Sequence, residues 1–152
     1  MEAGCVSIWL VMQRTFHKTE TDTIAKELLA SLTVGESATV VALAGDLGAG
    51  KTTLSQAIAR ALGITENVVS PTFVIMKLYK VATGPYKQLV HIDAYRLQSA
   101  SEIERLGWAE LVADPKNLIL IEWPEKVPEA LPPNTHRVTL THISEEERGI
   151  AW

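Results

Sequence analysis

The sequence predicts an α/β fold: a mixed, mainly parallel sheet flanked by helices. Three observations carry this reading. Short, β-branched apolar runs recur at residues 39–44, 89–92 and 118–121, and runs of that kind suit strands buried on both faces. Helix-length stretches with apolar residues every three or four positions stand between them, an alternation that builds a sheet covered by helices on both sides. The segments at either end have no crossover helix, so antiparallel pairing is expected there.

Taken in order, Val6 to Met12 reads as an imperfect strand. Polar residues Thr19 to Thr23 then cap a helix whose stripe is Ile24, Leu28 and Leu32, with Ala25 and Leu29 beside it. Thr39 to Ala44 is a buried central strand, and residues 45–50 hold three glycines. From Lys51 the stripe Leu54, Ile58 and Leu62 marks a second helix, stopped by Gly63. Pro71 to Met76 starts a strand, Gly84-Pro85 turns the chain, and Gln88 to Ile92 leads to Asp93. Residues 101–113 form one broken helix or two short ones, because Gly107 interrupts the pattern. Leu118 to Ile121 runs into Glu122, after which Pro124, Pro128, Pro132 and Pro133 oppose regular structure. Arg137 to Ile143 is a strand, and Glu145 to Gly149 its turn or tail. One domain over residues 1–152 follows, with the last ~15 residues peripheral to it.

Composition narrows the function classes. Fourteen Lys and Arg against eighteen Asp and Glu give a net charge of −4, which supplies no long-range attraction to nucleic acid. A hydrophobic share of 47% with 21% charged residues belongs to a globular chain. No apolar run reaches membrane-helix length. The single cysteine, Cys5, can form neither an internal disulfide nor a thiolate metal site, so a reducing cytoplasmic setting is expected. Histidines at 17, 91, 136 and 142 lack ligand spacing, and neither a nucleophile elbow nor a guanine-reading N-K-x-D element occurs.

Gly45-Asp46-Leu47-Gly48-Ala49-Gly50-Lys51-Thr52 matches G-x-x-x-x-G-K-[ST] at every required position, directly after a strand and at the start of a helix. Glycines let successive N–H groups turn inward around phosphates. The helix N-terminus adds unpaired donors and a favourable dipole. In such a loop Lys51 serves the β- and γ-phosphates, Thr52 the Mg2+ shell, and Thr53 the α-phosphate. The pattern points to a nucleoside triphosphate site, and the lack of a guanine-reading element removes the main reason to prefer GTP.

Such a site needs an acid at a neighbouring strand end to hold Mg2+, directly or through water. Glu122 ends the stronger apolar run and Asp93 the weaker one; which of them touches the metal is open. Ser70-Pro71-Thr72 offers hydroxyls where a γ-phosphate sensor would lie. His91 reads as a packed or surface histidine rather than a base, and Arg96 as a ligand of phosphate or of an acidic partner, or as an ordinary surface arginine. Trp123-Pro124 suggests a rigid aromatic lid or contact surface. Trp9, Trp108 and Trp152 read as core or edge residues.

Together these blocks resemble the bacterial TsaE family, small P-loop ATPases of tRNA threonylcarbamoyladenosine (t6A) formation. The loop Gly45–Thr53 resembles its phosphate loop, Ser70–Phe73 its first switch, and His91–Leu97 its second. Ile121–Glu125 resembles its Walker B strand end, with Glu in place of the common Asp. The resemblance extends from about Thr19 to Pro132, and nothing after Pro133 matches a firm motif. It implies a P-loop NTPase-like fold, ATP and Mg2+ as cofactors, Lys51 on the phosphates, and Thr52 with Glu122 around the metal. It further implies Asp93 in hydrolysis or the metal shell, Thr72 in a nucleotide-responsive switch, Trp123 supporting the site, and Thr21 and Thr23 near the base. In that family the protein binds a TsaB–TsaD heterodimer, reaches tRNA only through that complex, and leaves the transfer chemistry to TsaD. A small-molecule kinase and a non-hydrolysing nucleotide-dependent adaptor are the alternatives that the phosphate loop by itself leaves open.

Overall fold

The computed structural model describes residues 12–71 and 74–152. Seven strands form one sheet: β1 (Gln13–His17), β2 (Thr39–Ala44), β3 (Met76–Lys80), β4 (Gln88–Asp93), β5 (Asn117–Glu122), β6 (His136–His142) and β7 (Glu147–Ala151). Their spatial order is β1-β7-β6-β2-β5-β4-β3. The centre β6-β2-β5-β4 is parallel throughout, while β3, β7 and β1 pair antiparallel at the flanks. This is the mixed sheet expected from the sequence.

The two faces follow from the period of two along each strand. Val41 and Leu43 of β2, Leu118 and Leu120 of β5 and Leu89 of β4 enter one core. That core is covered by α1 (Thr21–Ser31) through Ile24, Ala25 and Leu28, and by α2 (Lys51–Ala61) through Leu54 and Ile58. The intervening residues Val40, Ala42, Val90, Ile92, Ile119 and Ile121 enter a second core. There Ile103 of α3 (Ala100–Glu104) and Trp108 of α4 (Trp108–Ala113) close the opposite face. Gly107, at φ 81°, separates these two helices. Trp108 also donates its indole N–H to Ala130 O at 2.9 Å, pinning the proline-rich segment. Among the described residues no helix is long and apolar enough to cross a membrane.

Three local readings are corrected, and a fourth lies outside the described residues. The strand expected from Pro71 begins only at Met76, because Ile75 sits at φ 64°, a left-handed conformation that a β-branched residue adopts only under strain and that interrupts the extension. The strand expected over residues 6–12 lies outside the described residues apart from Met12. The observed first strand follows it, at Gln13–His17. Residues 147–151 are no tail: β7 lies between β1 and β6, with Arg14 opposite Ile150 and Ile150 opposite Leu140. The prolines do not exclude all helical structure either, since Pro124–Lys126 and Pro128–Ala130 are single 3-10 turns with proline at the start.

The glycine loop leaves β2 with no space to spare at Gly45. A Cβ on Gly45, at φ 151°, would stand 2.5 Å from Leu140 O of β6. Gly45→Ala is therefore expected to destabilise the protein by about 2 kcal/mol or more, read by denaturant unfolding. Gly35→Ala, with nothing within 4 Å of its added Cβ, is the control and should change stability by less than about 1 kcal/mol.

Candidate functional site

The parallel register brings the acids to the loop. Leu43 of β2 is level with Glu122 of β5, and Glu122 with Asp93 of β4, so both carboxylates emerge where β2 passes into Gly45. Counting back in twos, Glu122 shares a face with Leu120 and Leu118, and Asp93 with His91 and Leu89. That face is the one covered by α2.

Glu122 is only 2% exposed, and its carboxylate is enclosed by hydroxyls and a ring. Thr52 Oγ1 donates to Oε2 at 3.1 Å; Ser55 Oγ lies 3.3 Å and His91 Nε2 2.8 Å from Oε1. Asp93 is likewise buried, and its Oδ1 accepts the Tyr95 N–H at 3.0 Å. Backbone bonds lock the strand ends: Asp93 N–H donates to Ile75 O at 2.8 Å, and Ala94 N–H to Glu122 O at 3.0 Å.

Lys51 is the one buried lysine among the described residues. Its ammonium folds back on the loop, donating to Gly45 O and, at 3.0 Å, to Asp46 O. The Trp123 ring covers it, with Nζ 4.0 Å from the ring centroid. Burial pushes the Lys51 pKa down from the ordinary 10.5; Glu122, Glu125, Asp93 and Asp46 pull it up without overcoming that effect. Trp123 reaches this position from a left-handed backbone (φ 58°, ψ 51°), a strained conformation of the kind that clusters at functional sites. The Tyr95 ring lies against Trp123 at 5.0 Å, and the Lys126 ammonium stands 5.6 Å from the Tyr95 centroid. From the interior outward the sequence is cation, indole, phenol, cation.

These groups line a cleft of about 480 Å³. Leu47, Gly48, Ala49, Gly50, Lys51, Thr52 and Thr53 form its floor, and Asp93, Glu122 and Trp123 one wall. Along α2 the first amide bonded back to the loop is that of Leu54, to Gly50 O at 2.9 Å. The amides before it are those that a helix start presents to an external anion. Gly45 and Asp46 take part through their carbonyls. Thr21 borders the cleft, but its hydroxyl donates to Lys18 O at 2.6 Å. Thr23 is exposed on α1 and does not border the cleft, since two residues along a helix turn a side chain far round the axis. Thr72 lies outside the described residues.

Sequence reasoning missed the outer wall, where Phe16, Lys18 and Arg148 stand. Arg148 is braced by its own turn, its guanidinium donating to Ser144 O at 2.6 Å and Glu147 O at 2.9 Å. No sequence signal marks these residues, because only the pairing of β1 with β7 brings them together. His91, for which the sequence leaves both a packed and a surface position open, is fully buried and bonded to Glu122.

A central strand, a glycine loop wrapped around a lysine, a helix start facing two strand-end carboxylates: this is a P-loop NTPase-like α/β fold. The model of the TsaE family, threonylcarbamoyl adenosine biosynthesis protein TsaE, matches residues 15–150, and the chain belongs to that family. The Bacillus subtilis protein described as tRNA threonylcarbamoyladenosine biosynthesis protein TsaE is 38% identical over 139 residues, 91% of this chain and 82% of its own. The Synechocystis protein of the same description is 40% identical over 112 residues, 72% of this chain and 67% of its own. The crystal structure of Bacillus subtilis YdiB superimposes with a TM-score of 0.70 at 32% identity, covering 93% of this chain and 85% of that one.

The lowered Lys51 pKa has a consequence for anion binding. A phosphate gains from the charged lysine, so affinity falls as pH rises through the pKa of the free protein. In nucleotide titrations the fall is expected at a pH below the ordinary lysine range. Lys51→Arg, whose side chain stays charged, should show no such fall.

Proposed function

We propose that this chain is a Mg2+-dependent ATPase that supports t6A formation on tRNA in the cytoplasm, working through a TsaB–TsaD-like heterodimer without performing the threonylcarbamoyl transfer. Family membership supports the t6A role. The observation that carries the nucleotide chemistry is the placement of Lys51 and Thr52 between the loop and Glu122.

Lys51 already donates to two carbonyl oxygens of the loop. Phosphate oxygens are acceptors of the same geometry and greater charge, so an incoming triphosphate exchanges one set of acceptors for a stronger one. Thr52 gives its hydroxyl proton to Glu122, which leaves the oxygen lone pairs for a cation. Thr52 and Glu122 would hold Mg2+ there, Glu122 through the Thr52 hydroxyl or a water, with Asp93 level beside them. The metal when bound would offset charge on the β- and γ-phosphates. Asp93, at the cleft wall, is placed to orient a water or a metal-bound ligand. Low turnover of the isolated protein is expected, with the partners needed for full activity. The net charge of −4 favours reaching tRNA through partners rather than directly.

The test is multiple-turnover t6A formation in a reconstituted system that lacks only this protein. Adding wild type should raise product beyond the first turnovers; no gain with active partners would overturn the assignment. Lys51→Ala should weaken triphosphate binding by about tenfold or more, since it removes a charge-assisted contact. Glu122→Ala should spare metal-free nucleotide binding and lower Mg2+-dependent turnover by about 10–100-fold. A phosphorylated small-molecule acceptor would favour the kinase reading, and t6A support without hydrolysis the adaptor reading.

A further inference from the structure

His91 sits at the end of a chain of contacts that runs through Glu122 to Thr52. We propose that His91 is a positioning residue: its Nε2–H holds the Glu122 carboxylate in the orientation that accepts the Thr52 proton, and so keeps the Thr52 oxygen open toward the cation. This rests on the Mg2+–nucleotide reading above and names a residue that sets its geometry.

Counting protons leads to His91. Oε2 of Glu122 is served by Thr52. Oε1 has two neighbours, Ser55 Oγ at 3.3 Å and His91 Nε2 at 2.8 Å. The Ser55 hydroxyl has a single proton, and its oxygen lies 2.9 Å from Lys51 O, the nearer of its two acceptors. That proton closes the first turn of α2, which leaves His91 as the donor to Oε1.

The ring itself has one arrangement that satisfies the site. Its Nδ1 is buried with no hydrogen-bond partner among the described residues. A proton on Nδ1 would be buried without an acceptor, which costs more than a bare ring nitrogen. The neutral tautomer protonated on Nε2 is therefore assigned. The register explains the reach: His91 is level with Leu120, one same-face position before the pair Asp93 and Glu122. With no exposed surface, the ring cannot touch a nucleotide and acts only through Glu122.

Two amide substitutions separate this role from mere packing. Gln carries its amide nitrogen at about the reach of Nε2, whereas Asn carries it near the position of Nδ1. His91→Gln should keep the Mg2+ concentration for half-maximal ATP hydrolysis within about threefold of wild type. His91→Asn should raise it by about tenfold or more, as the loss of a partner behind a metal ligand does. ATP affinity measured in EDTA should stay within about twofold for both. Equal Mg2+ dependence in the two variants, or a parallel loss of metal-free ATP affinity, would overturn the proposal. In 15N-histidine-labelled wild type, the ring-nitrogen spectrum should show His91 protonated on Nε2 and bare on Nδ1; the opposite tautomer overturns the proposal even if the Asn variant does not fold. Absence of Mg2+-stimulated hydrolysis in wild type with its partners would overturn the functional reading instead, and the ring spectrum would still decide the His91–Glu122 contact.

Discussion

The buried carboxylate of Glu122 is the constraint around which the site is arranged. Taking such a charge out of water costs several kcal/mol unless donors surround it, and at 2% exposure almost none of that can come from solvent. The donors arrive from two directions, Thr52 from the first turn of α2 and His91 from β4. Satisfying one carboxylate therefore docks the helix start onto the strand end and sets the height of β4 beside β5. The loop between β2 and α2 inherits its shape from that docking, because both of its ends are then held. Gly45 shows how narrow the result is, since a single methyl group there would meet the β6 backbone.

Lys51 presents the opposite case, a buried cation held by neutral groups. Two loop carbonyls and an indole face surround it, and burial outweighs the nearby carboxylates in setting its pKa direction. A full ion pair would satisfy the lysine and make it harder to recruit. Carbonyls and an aromatic ring hold it more weakly than a phosphate does, so the charge is stored rather than neutralised. The strained backbone at Trp123 belongs to the same arrangement, since that conformation lays the ring over the ammonium. Lys51 and Thr52, whose hydroxyl donates to Glu122, are neighbours at the start of α2.

What the sequence made legible was whatever local pattern controls. The uninterrupted apolar runs of β2 and β5, the four-residue stripes of α1 and α2, and the spacing of the loop placed Lys51, Thr52 and Glu122 correctly around one cleft. Legibility failed where tertiary pairing decides. Glu147-Arg148-Gly149-Ile150-Ala151 contains one buried side chain, Ile150, and is a strand only because β1 and β6 lie on either side of it. The family resemblance joins Thr23 to Thr21, and helix rotation leaves only Thr21 at the cleft. His91 looked ordinary because its importance lies in what stands 31 residues away, at Glu122.

The two walls of the cleft are consequently built to different standards. The inner wall rises from the parallel centre of the sheet, where β2 and β5 are buried along almost their whole length and each strand is paired on both sides. The outer wall belongs to β1, the turn after it, and β7, joined by antiparallel pairs near one edge of the sheet. There the side-chain fixings are exposed, Lys18 paired with Glu146 and the His17 ring 3.3 Å from the same carboxylate, contacts worth little in water. Local opening free energies track such differences in burial. Lys51, Thr52 and Glu122 thus sit on the more deeply buried side. On the opposite side Lys18 is exposed and Arg148 half-buried, while Phe16 packs into the core shared with α1 and α2.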